Sequence, residues 1–234
     1  MQHIYFAEKL ANTRKPMKLV CHTHSLVPSR KLIKREAVHI RLTDYEYTML
    51  SALSKNTRKL LRRAQEESYQ VFLYKEPSEE NLRAFQQFYN EFAKRKKIDQ
   101  INKPQMEAIM LLNQQHALLL SEVRSICGQT LCYRLDIVHA QKAMSYYVAT
   151  CHACTLPTHL KRPMRYANRF LLWHNFMYLK QQGFVLYDMG ELTDIETVRQ
   201  FKLSFGGQVV NVYSGYIAHS RISALLLGVQ KWRK

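Results

Sequence analysis

Two short segments near the C-terminal end of the sequence carry residues that can do acid–base chemistry. The first ends in two carboxylates, Asp188 and Glu191, on either side of Gly190, and the second carries Lys202 just before a Gly-Gly pair. The hydrophobic run before Asp188 predicts a buried strand, and α/β folds commonly keep their sites at the C-terminal ends of strands. A carboxylate there can accept a proton from a reacting group. The alternatives are that Asp188 caps the following turn and that Lys202 is solvated.

Basic residues form two further groups that could bind an anion. Arg58 and Arg62 share one face of a predicted helix that also carries Asn56, a spacing that allows two guanidinium groups to hold a phosphate. The second group surrounds the predicted N-terminus of a later helix, where anions bind readily. Its members are His159, Lys161, Arg162, Arg165 and Asn168. The alternatives are a solvated basic face for the first group and a flexible basic loop for the second.

Tyr146 and Tyr147 are adjacent residues in the middle of a predicted strand. Successive side chains of a strand point to opposite faces, so we expect one ring in the core and the other, Tyr146, in a cleft. Cys151 and Cys154 form one CxxC pair, but no second paired motif completes a zinc site. We therefore expect no metal and interpret these cysteines as reduced thiols.

The hydrophobic pattern predicts the elements that must position these residues. Strands are predicted at 4–7, 37–42, 69–74, 116–126, 129–138, 142–150, 184–189 and 208–217, and helices at 43–68 with a break near 54–56, 78–97, 104–113, 165–182, 195–204 and 220–232. The three strands between 116 and 150 are expected to be antiparallel neighbours. The order predicts an α+β (mixed α/β) fold, in which helices partly cover a central sheet.

We expect one domain over residues 1–234. It would have an irregular basic arm at 1–36, with a short strand at 18–21, and an amphipathic C-terminal helix at 220–234. No apolar run reaches the roughly 18 residues that span a bilayer, and no secretory signal pattern opens the chain. These observations predict a cytoplasmic protein. The basic C-terminal helix would pack on the sheet or, alternatively, lie on an anionic membrane at its inner face.

The net charge of +17 comes from 35 basic and 18 acidic residues. A field this positive favours an anionic partner, which could be a phosphate-bearing substrate, a nucleic acid or an anionic lipid surface. Charge alone does not choose among these three. No helix-turn-helix, RNA-recognition or zinc-finger signature occurs in the sequence.

Two blocks of the sequence resemble the Fem-type peptidyltransferases and their relatives, which have the fold of the GNAT N-acetyltransferase superfamily. The first is SKNTRKLLRRA at 54–64, which is similar to the family pattern S-K-x-x-R-x-x-x-R-R-A. The second comprises Asn168, Leu171-Leu172-Trp173, Gly183, Tyr187-Asp188, Gly190, Phe201-Lys202 and Phe205-Gly206-Gly207. The blocks occur in the family's order and together cover residues 54–207.

The sequence also departs from its apparent relatives. Fem proteins proper usually carry two acetyltransferase-like modules, whereas this chain has room for about one. The Q/R-x-x-G-x-G/A loop that cradles coenzyme A in ordinary acetyltransferases is missing, because no glycine lies between Gly128 and Gly183. The Fem group lacks this loop as well, so its absence leaves the acyl donor open.

The resemblance implies a mostly antiparallel sheet with one splayed strand pair, flanked by helices. It also implies an N-acyltransferase that moves an acyl group from an acyl-coenzyme A thioester to an amine by direct attack in a ternary complex. The acceptor would be an amino sugar, a cell-envelope precursor or an amino acid. Coenzyme A would be a co-substrate, and no cofactor would be permanently bound.

The same resemblance distributes roles among the candidate residues. Phe201 would pack near the acceptor, and Lys202 would contact a phosphate or carboxylate. Asp188 or Glu191 would accept a proton from the amine or orient it. From the residue patterns described above, rather than from the resemblance, we expect Asn56, Arg58, Arg62 and Tyr146 to bind substrate and the group from His159 to Asn168 to hold the phosphates of the donor.

Two other functions stay open from the sequence. A Fem-like transferase that uses aminoacyl-tRNA would explain the high positive charge as a tRNA footprint. Alternatively, the protein would be a non-catalytic module, and its positive charge would serve to bind nucleic acid or a membrane surface.

Overall fold

The structure is a computed structural model that describes residues 2–8, 19–152 and 157–218. The described residues form two compact units. The first is drawn from residues 1–38, 191–199 and 208–234, and the second from residues 39–190 and 200–207. The expectation of one domain over the whole chain stays a prediction.

Nine strands and six helices occur within the described residues. In chain order they are β1 (Gln2–Tyr5), β2 (Leu19–Ser25), β3 (Ile33–Arg41), α1 (Glu46–Ala52), α2 (Lys55–Gln65), β4 (Gln70–Tyr74), α3 (Glu79–Lys96), α4 (Lys103–Gln114), β5 (Leu118–Arg124), β6 (Thr130–His139), β7 (Lys142–Thr150), α5 (Thr158–Gln181), β8 (Leu186–Glu191), α6 (Glu196–Leu203) and β9 (Gln208–Ala218). The mixed α/β class predicted from the sequence is confirmed.

The first unit contains strands in the order β1-β2-β9-β3. β1 pairs with β2 in parallel, and β2 pairs with β9 antiparallel. The prediction of an irregular arm over residues 1–36 is therefore wrong where the chain is described. The short strand predicted at 18–21 is a full strand over residues 19–25, because β1 and β9 satisfy its backbone groups from either side.

The second unit contains strands in the order β3-β8-β7-β6-β5-β4. The run from β4 to β7 is antiparallel throughout, as predicted for its last three strands, whereas β7 and β8 are parallel. Helices cover both faces of this sheet. Cys132 packs against Ala167 and Leu171 of α5 on one face, and Tyr133 lies 5.2 Å from Phe88 of α3, ring centre to ring centre, on the other.

Side-chain caps define where the helices of the second unit begin. Ser54 Oγ accepts a hydrogen bond from the backbone N–H of Thr57, which starts α2 and separates it from α1 at the break that the sequence predicts. Ser78 with Asn81, and Asn102 with Gln105, form reciprocal capping boxes at α3 and α4.

Helix α5 begins at Thr158, before its predicted start at 165, so the expected loop through Pro163 is wrong. Pro163 lies inside the helix, where a proline removes one backbone hydrogen bond. Two tertiary contacts stabilise the extra turn. Leu160 is buried in the cluster around Val123 and Leu131, and the Tyr69 hydroxyl donates to the carbonyl of Pro163.

Every described helix is either too short or too polar to cross a lipid bilayer. The predicted amphipathic helix at 220–232 lies outside the described residues.

Candidate functional site

Strands β7 and β8 form a fork in the second unit. Their parallel ladder pairs Lys142 with Leu186, Ala143 with Tyr187 and Met144 with Asp188. The described register stops there, while β7 continues to Thr150. The ladder between the two strands therefore ends after Met144 and Asp188.

A β-bulge in β7 lies next to the point where the strands part. Asp136 of β6 pairs with Ser145 and Leu135 pairs with Tyr147, so Tyr146 has no residue opposite it on β6. A bulge bends its strand and re-aims side chains, and such bulges are common beside active sites. The rings of Tyr146 and Tyr147 lie only 4.4 Å apart, centre to centre. The expectation that these rings face opposite sides is wrong because the bulge breaks the alternation.

Lys202 reaches the fork. A Cβ atom built on Gly190 would lie 3.3 Å from Lys202 Nζ and 3.7 Å from the carbonyl oxygen of Ser145. Gly190 has φ +79°, a backbone conformation that favours glycine. The lysine is half-buried, and its ammonium group lies where the two strands separate.

Asp188 is fully buried and fixes the turn at Gly190. Its Oδ1 accepts a hydrogen bond from the backbone N–H of Gly190 at 2.7 Å. Its Oδ2 lies 3.4 Å from Nε2 of His39 on β3, whose side chain is mostly buried. His39 was not among the site residues predicted from the sequence. The available signal was its position between the core residues Val38 and Ile40, which points it to the other face of the strand.

A buried polar network lies beneath the fork on the α5 side. Arg134 donates to Asn168 Oδ1 (2.9 Å), Ser145 Oγ (3.0 Å) and the Tyr187 hydroxyl (3.2 Å). Tyr187 in turn donates to Asp136 Oδ1 at 2.7 Å. Burial acts to lower the pKa of Arg134, but Tyr187 and Asp136 outweigh it and raise that pKa, so the guanidinium stays charged.

The same network involves Asn175 of α5, which donates to Asp136 Oδ2 at 2.9 Å and to Ser121 Oγ at 2.8 Å. These bonds tie α5 to β5, β6 and β8. They hold the β7–β8 ladder against the helix up to the residues where the strands part. Asn168, predicted to bind the donor, therefore contributes its side-chain oxygen to this buried network.

Arg169 of α5 lies over the ring of Phe201, the residue that precedes Lys202 in the chain. The Arg169 guanidinium carbon lies 5.0 Å from the centre of the Phe201 ring. Phe201 also packs against Phe205, which is buried against Phe176 of α5. Arg169 was not predicted from the sequence, because a single arginine in a helix gives no indication of what its side chain contacts.

The two sequence blocks behind the Fem-type resemblance meet in space. The backbone N–H of Ser54 donates to the carbonyl of Ser204, and Thr57 Oγ1 donates to Ser204 Oγ, each at 2.9 Å. Gly206 lies directly against Ala52, whose carbonyl oxygen would be only 2.2 Å from a Cβ at position 206. The first block therefore supports the segment that carries Lys202.

Comparison with solved structures finds the same architecture in other proteins. FemX matches with a TM-score of 0.64 and 12% identity, over 79% of this chain and 63% of FemX. L-PGS from Bacillus licheniformis matches with a TM-score of 0.54 and 16% identity, over 91% of this chain and 72% of L-PGS. The C-terminal (DUF2156) domain assigned to lysylphosphatidylglycerol synthetase from Agrobacterium fabrum matches with a TM-score of 0.58 and 12% identity, over 89% and 70%.

The chain has the fold of FemX and of L-PGS. The fold expected from the resemblance is thus confirmed. No model of a known protein family matches the sequence, and no curated protein matches it either. The chain spans less than two thirds of the length of FemX.

Within this Fem-type fold, the predicted substrate-binding residues Asn56, Arg58 and Arg62 are all exposed on α2. Arg58 Nη1 donates to the carbonyl of Ser51 at 2.6 Å, at the C-terminal end of α1. This bond satisfies a helix-end carbonyl. A role for these residues in substrate binding stays a prediction.

The predicted donor-binding group lies along the first turns of α5 and not in a loop before it. Lys161 and Arg165 are exposed. Arg162 Nε lies 3.0 Å from Glu67 Oε1, and its Nη2 lies 3.4 Å from Glu66 Oε2. His159 belongs to the first turn, but its side chain is outside the described part of the chain. The binding of donor phosphates here stays a prediction.

Glu191 belongs to the first unit. Its carboxylate oxygens lie 3.8 Å from His24 Nε2 and 3.7 Å from Arg35 Nε. These contacts place two cationic or titratable groups next to the carboxylate. A role as general base stays a prediction for this residue.

The cysteines of the described chain are separate thiols. Cys132 is buried and Cys151 is half-buried, and burial raises the pKa of Cys132 to about 12 and that of Cys151 to about 11. Cys154, the partner of Cys151 in the CxxC pair, lies outside the described residues.

Proposed function

We propose that this protein transfers an acyl group from an activated donor to an amine held in the slot between β7 and β8. One observation carries the proposal: the β7–β8 ladder stops after Met144 and Asp188, and the ammonium of Lys202 lies at that point. A slot between parted strands can align a carbonyl carbon with a nitrogen lone pair, which supplies much of the rate enhancement of such reactions.

The donor that we favour is an acyl-coenzyme A thioester. The amine attacks the thioester carbonyl, the carbon–sulfur bond breaks, the thiol leaves, and the amine loses one proton. The chemistry needs no nucleophilic side chain. Backbone N–H groups along the parted strands are the expected donors to the oxyanion.

For the proton we favour His39 over the predicted carboxylates of Asp188 and Glu191. Asp188 is fully buried and bonded to Gly190, so we assign it the role of fixing the turn and orienting His39, whose Nε2 lies 3.4 Å from it. The imidazole of a histidine can accept the proton that an attacking amine loses. We expect His39→Gln to lower turnover, whereas His116→Gln, at an exposed histidine of the same unit, should not.

A second candidate donor is an aminoacyl-tRNA. Two of the similar structures carry the name L-PGS or lysylphosphatidylglycerol synthetase, a name that describes an aminoacylated lipid. The net charge of +17 suits a tRNA backbone. In that case an oxygen ester would take the place of the thioester, and an anionic membrane could present the acceptor.

The test is to incubate the purified protein with radiolabelled acetyl-coenzyme A, or with labelled aminoacyl-tRNA, and a panel of amino sugars, nucleotide-linked amino sugars and amino acids. Label transfer that depends on the acceptor supports the proposal and identifies the donor. Polynucleotide binding that weakens steeply with salt, without any transfer, would favour a binding module instead.

Lys202→Met provides the matched test of the site. We expect turnover to fall at least about tenfold, because a charge that stabilises the bound substrate or transition state is lost. Lys94→Met removes a lysine that is exposed on α3 and should have no effect. Equal turnover in both variants would contradict the assignment of Lys202.

A further inference from the structure

Arg169 is a desolvated cation with no acidic partner among the described residues. Its side chain is half-buried, and its Nε atom is buried without a hydrogen-bond partner. Burial lowers its pKa, and no nearby carboxylate acts against that shift. The described contact of its charge is with the face of the Phe201 ring, at 5.0 Å.

This environment contrasts with the other buried or half-buried arginines of the same unit. Arg134 donates three hydrogen bonds from its terminal nitrogens within the polar network beneath the fork, although its Nε, like that of Arg169, is buried without a partner. Arg124 forms two hydrogen bonds to the carboxylate of Glu122, at 2.6 and 2.8 Å. A buried charge normally has such partners because desolvation is costly. A guanidinium that has no carboxylate partner and a buried, unpaired Nε atom is therefore a group that a ligand bound at the candidate site can complete.

The position of Arg169 connects it to the fork. It packs on Phe201, and the next residue in the chain, Lys202, reaches the point where β7 and β8 part. The region between Gly128 and Gly183 contains no glycine. Phosphate binding there would therefore depend on side-chain cations and not on the backbone N–H groups of a glycine-rich loop. A guanidinium presents a planar fork of donors that matches a phosphate group, and a lysine adds a point charge.

We propose that Arg169 binds a phosphate group of a substrate held at the fork, acting together with Lys202 and supported by the Phe201 ring. This inference rests on the proposed function for its location. The phosphate belongs to the acyl donor or to a nucleotide-linked acceptor, and the two sources share the same chemistry at the guanidinium.

The test is calorimetric titration of the purified protein with coenzyme A and, separately, with UDP-glucosamine, whose amine is free. Arg169→Met keeps the length of the side chain and removes the charge. We expect the Kd of the phosphate ligand that binds to rise about tenfold or more, since charge-assisted hydrogen bonds are lost. Arg169→Lys, which lacks the planar fork, should give a smaller rise. Arg83→Met, at an exposed arginine of α3 paired with Glu79, is the charge-matched control and should leave the Kd unchanged.

Thermal melting without ligand separates binding from a purely structural role. Because Arg169→Met relieves the cost of an unpaired desolvated charge, its melting temperature should equal or exceed that of the unchanged protein. The inference is overturned if neither ligand binds the unchanged protein, or if Arg169→Met and Arg83→Met have equal effects on the Kd. It is also overturned if the Met variant melts lower and loses affinity only through unfolding. If the unchanged protein transfers an acyl group but Arg169→Met changes neither Kd, the inference about Arg169 is wrong and the proposed function is still supported.

Discussion

Lys202 Nζ lies beside the position that a side chain at Gly190 would occupy: a Cβ on Gly190 would lie 3.3 Å from it. Gly190 is thus a glycine for two reasons, its φ of +79° and the space that the lysine occupies. The turn at the end of β8 and the position of the ammonium group are linked through this proximity.

Gly190→Ala should lower turnover more than it lowers stability. The left-handed conformation costs a non-glycine residue about 1–2 kcal/mol, and the new methyl group must also push Lys202 by a few tenths of an ångström. Gly183→Ala is the matched control, because Gly183 has φ +80° and nothing within 4 Å of its Cβ position. Urea denaturation and acyl-transfer rates measure the two effects. Similar turnover in the two variants would show that the position of Lys202 beside Gly190 does not affect the acyl-transfer rate.

Gly206→Ala should destabilise the protein severely. A Cβ there would lie 2.2 Å from the carbonyl oxygen of Ala52 and 2.6 Å from its carbonyl carbon, so backbone must move. Gly128→Ala has a similar φ, +77°, but nothing within 4 Å, so it should cost only about 1 kcal/mol. Chemical denaturation of both variants gives the comparison. Equal losses would mean that the α1–α2 junction does not pack against the segment after α6.

Tyr187→Phe should destabilise the protein by about 1–3 kcal/mol, the cost of leaving buried polar groups without a partner. The Tyr187 hydroxyl donates to Asp136 and accepts from Arg134, while its ring keeps the contact with Phe176 at 4.9 Å. Tyr45→Phe, at a tyrosine that is 84% exposed, is the control. If the two variants have the same free energy of unfolding, the network contributes nothing to stability.

The buried thiols give a prediction for pH dependence. Because the pKa of Cys132 is raised from 9.0 to about 12 in the folded protein, its contribution to stability is complete below pH 9. That contribution is lost as the pH rises towards 12, since the unfolded thiol ionises first.

Alkylation checks the same property directly. At pH 8, iodoacetamide should modify the exposed Cys127 quickly, Cys151 slowly and Cys132 only after unfolding. Peptide mass spectrometry resolves the three sites. Rapid labelling of Cys132 in the folded protein would contradict its burial.

The sequence predicted the elements of the second unit well because their signals are local. Ser78 and Asn102 cap helices where hydrophobic periodicity begins, and the strands between 116 and 150 are bounded by short turns. The full length of the strand at 19–25, of which only 18–21 was predicted, and the early start of α5 were missed because both depend on partners that are distant in sequence.

The candidate site was predictable only in part. Lys202 and Gly190 stand in a recognisable pattern, and the structure brings them together. The environments of Arg169 and His39 arise from packing between α5 and α6 residues and between β3 and β8, which no spacing along the chain reveals. The bulge at Tyr146 depends on the register between β6 and β7, and a one-residue change of register is invisible in the amino-acid pattern.

Amide hydrogen exchange with and without an acyl donor tests most directly whether the slot between β7 and β8 holds the reacting groups. Using the donor that supports transfer, we expect slower exchange at residues 145–150 and 189–191 in the liganded protein, and no change in α3 or α4. Donor binding that leaves these two segments unprotected, or that protects the face of α3 and α4 instead, would contradict the account.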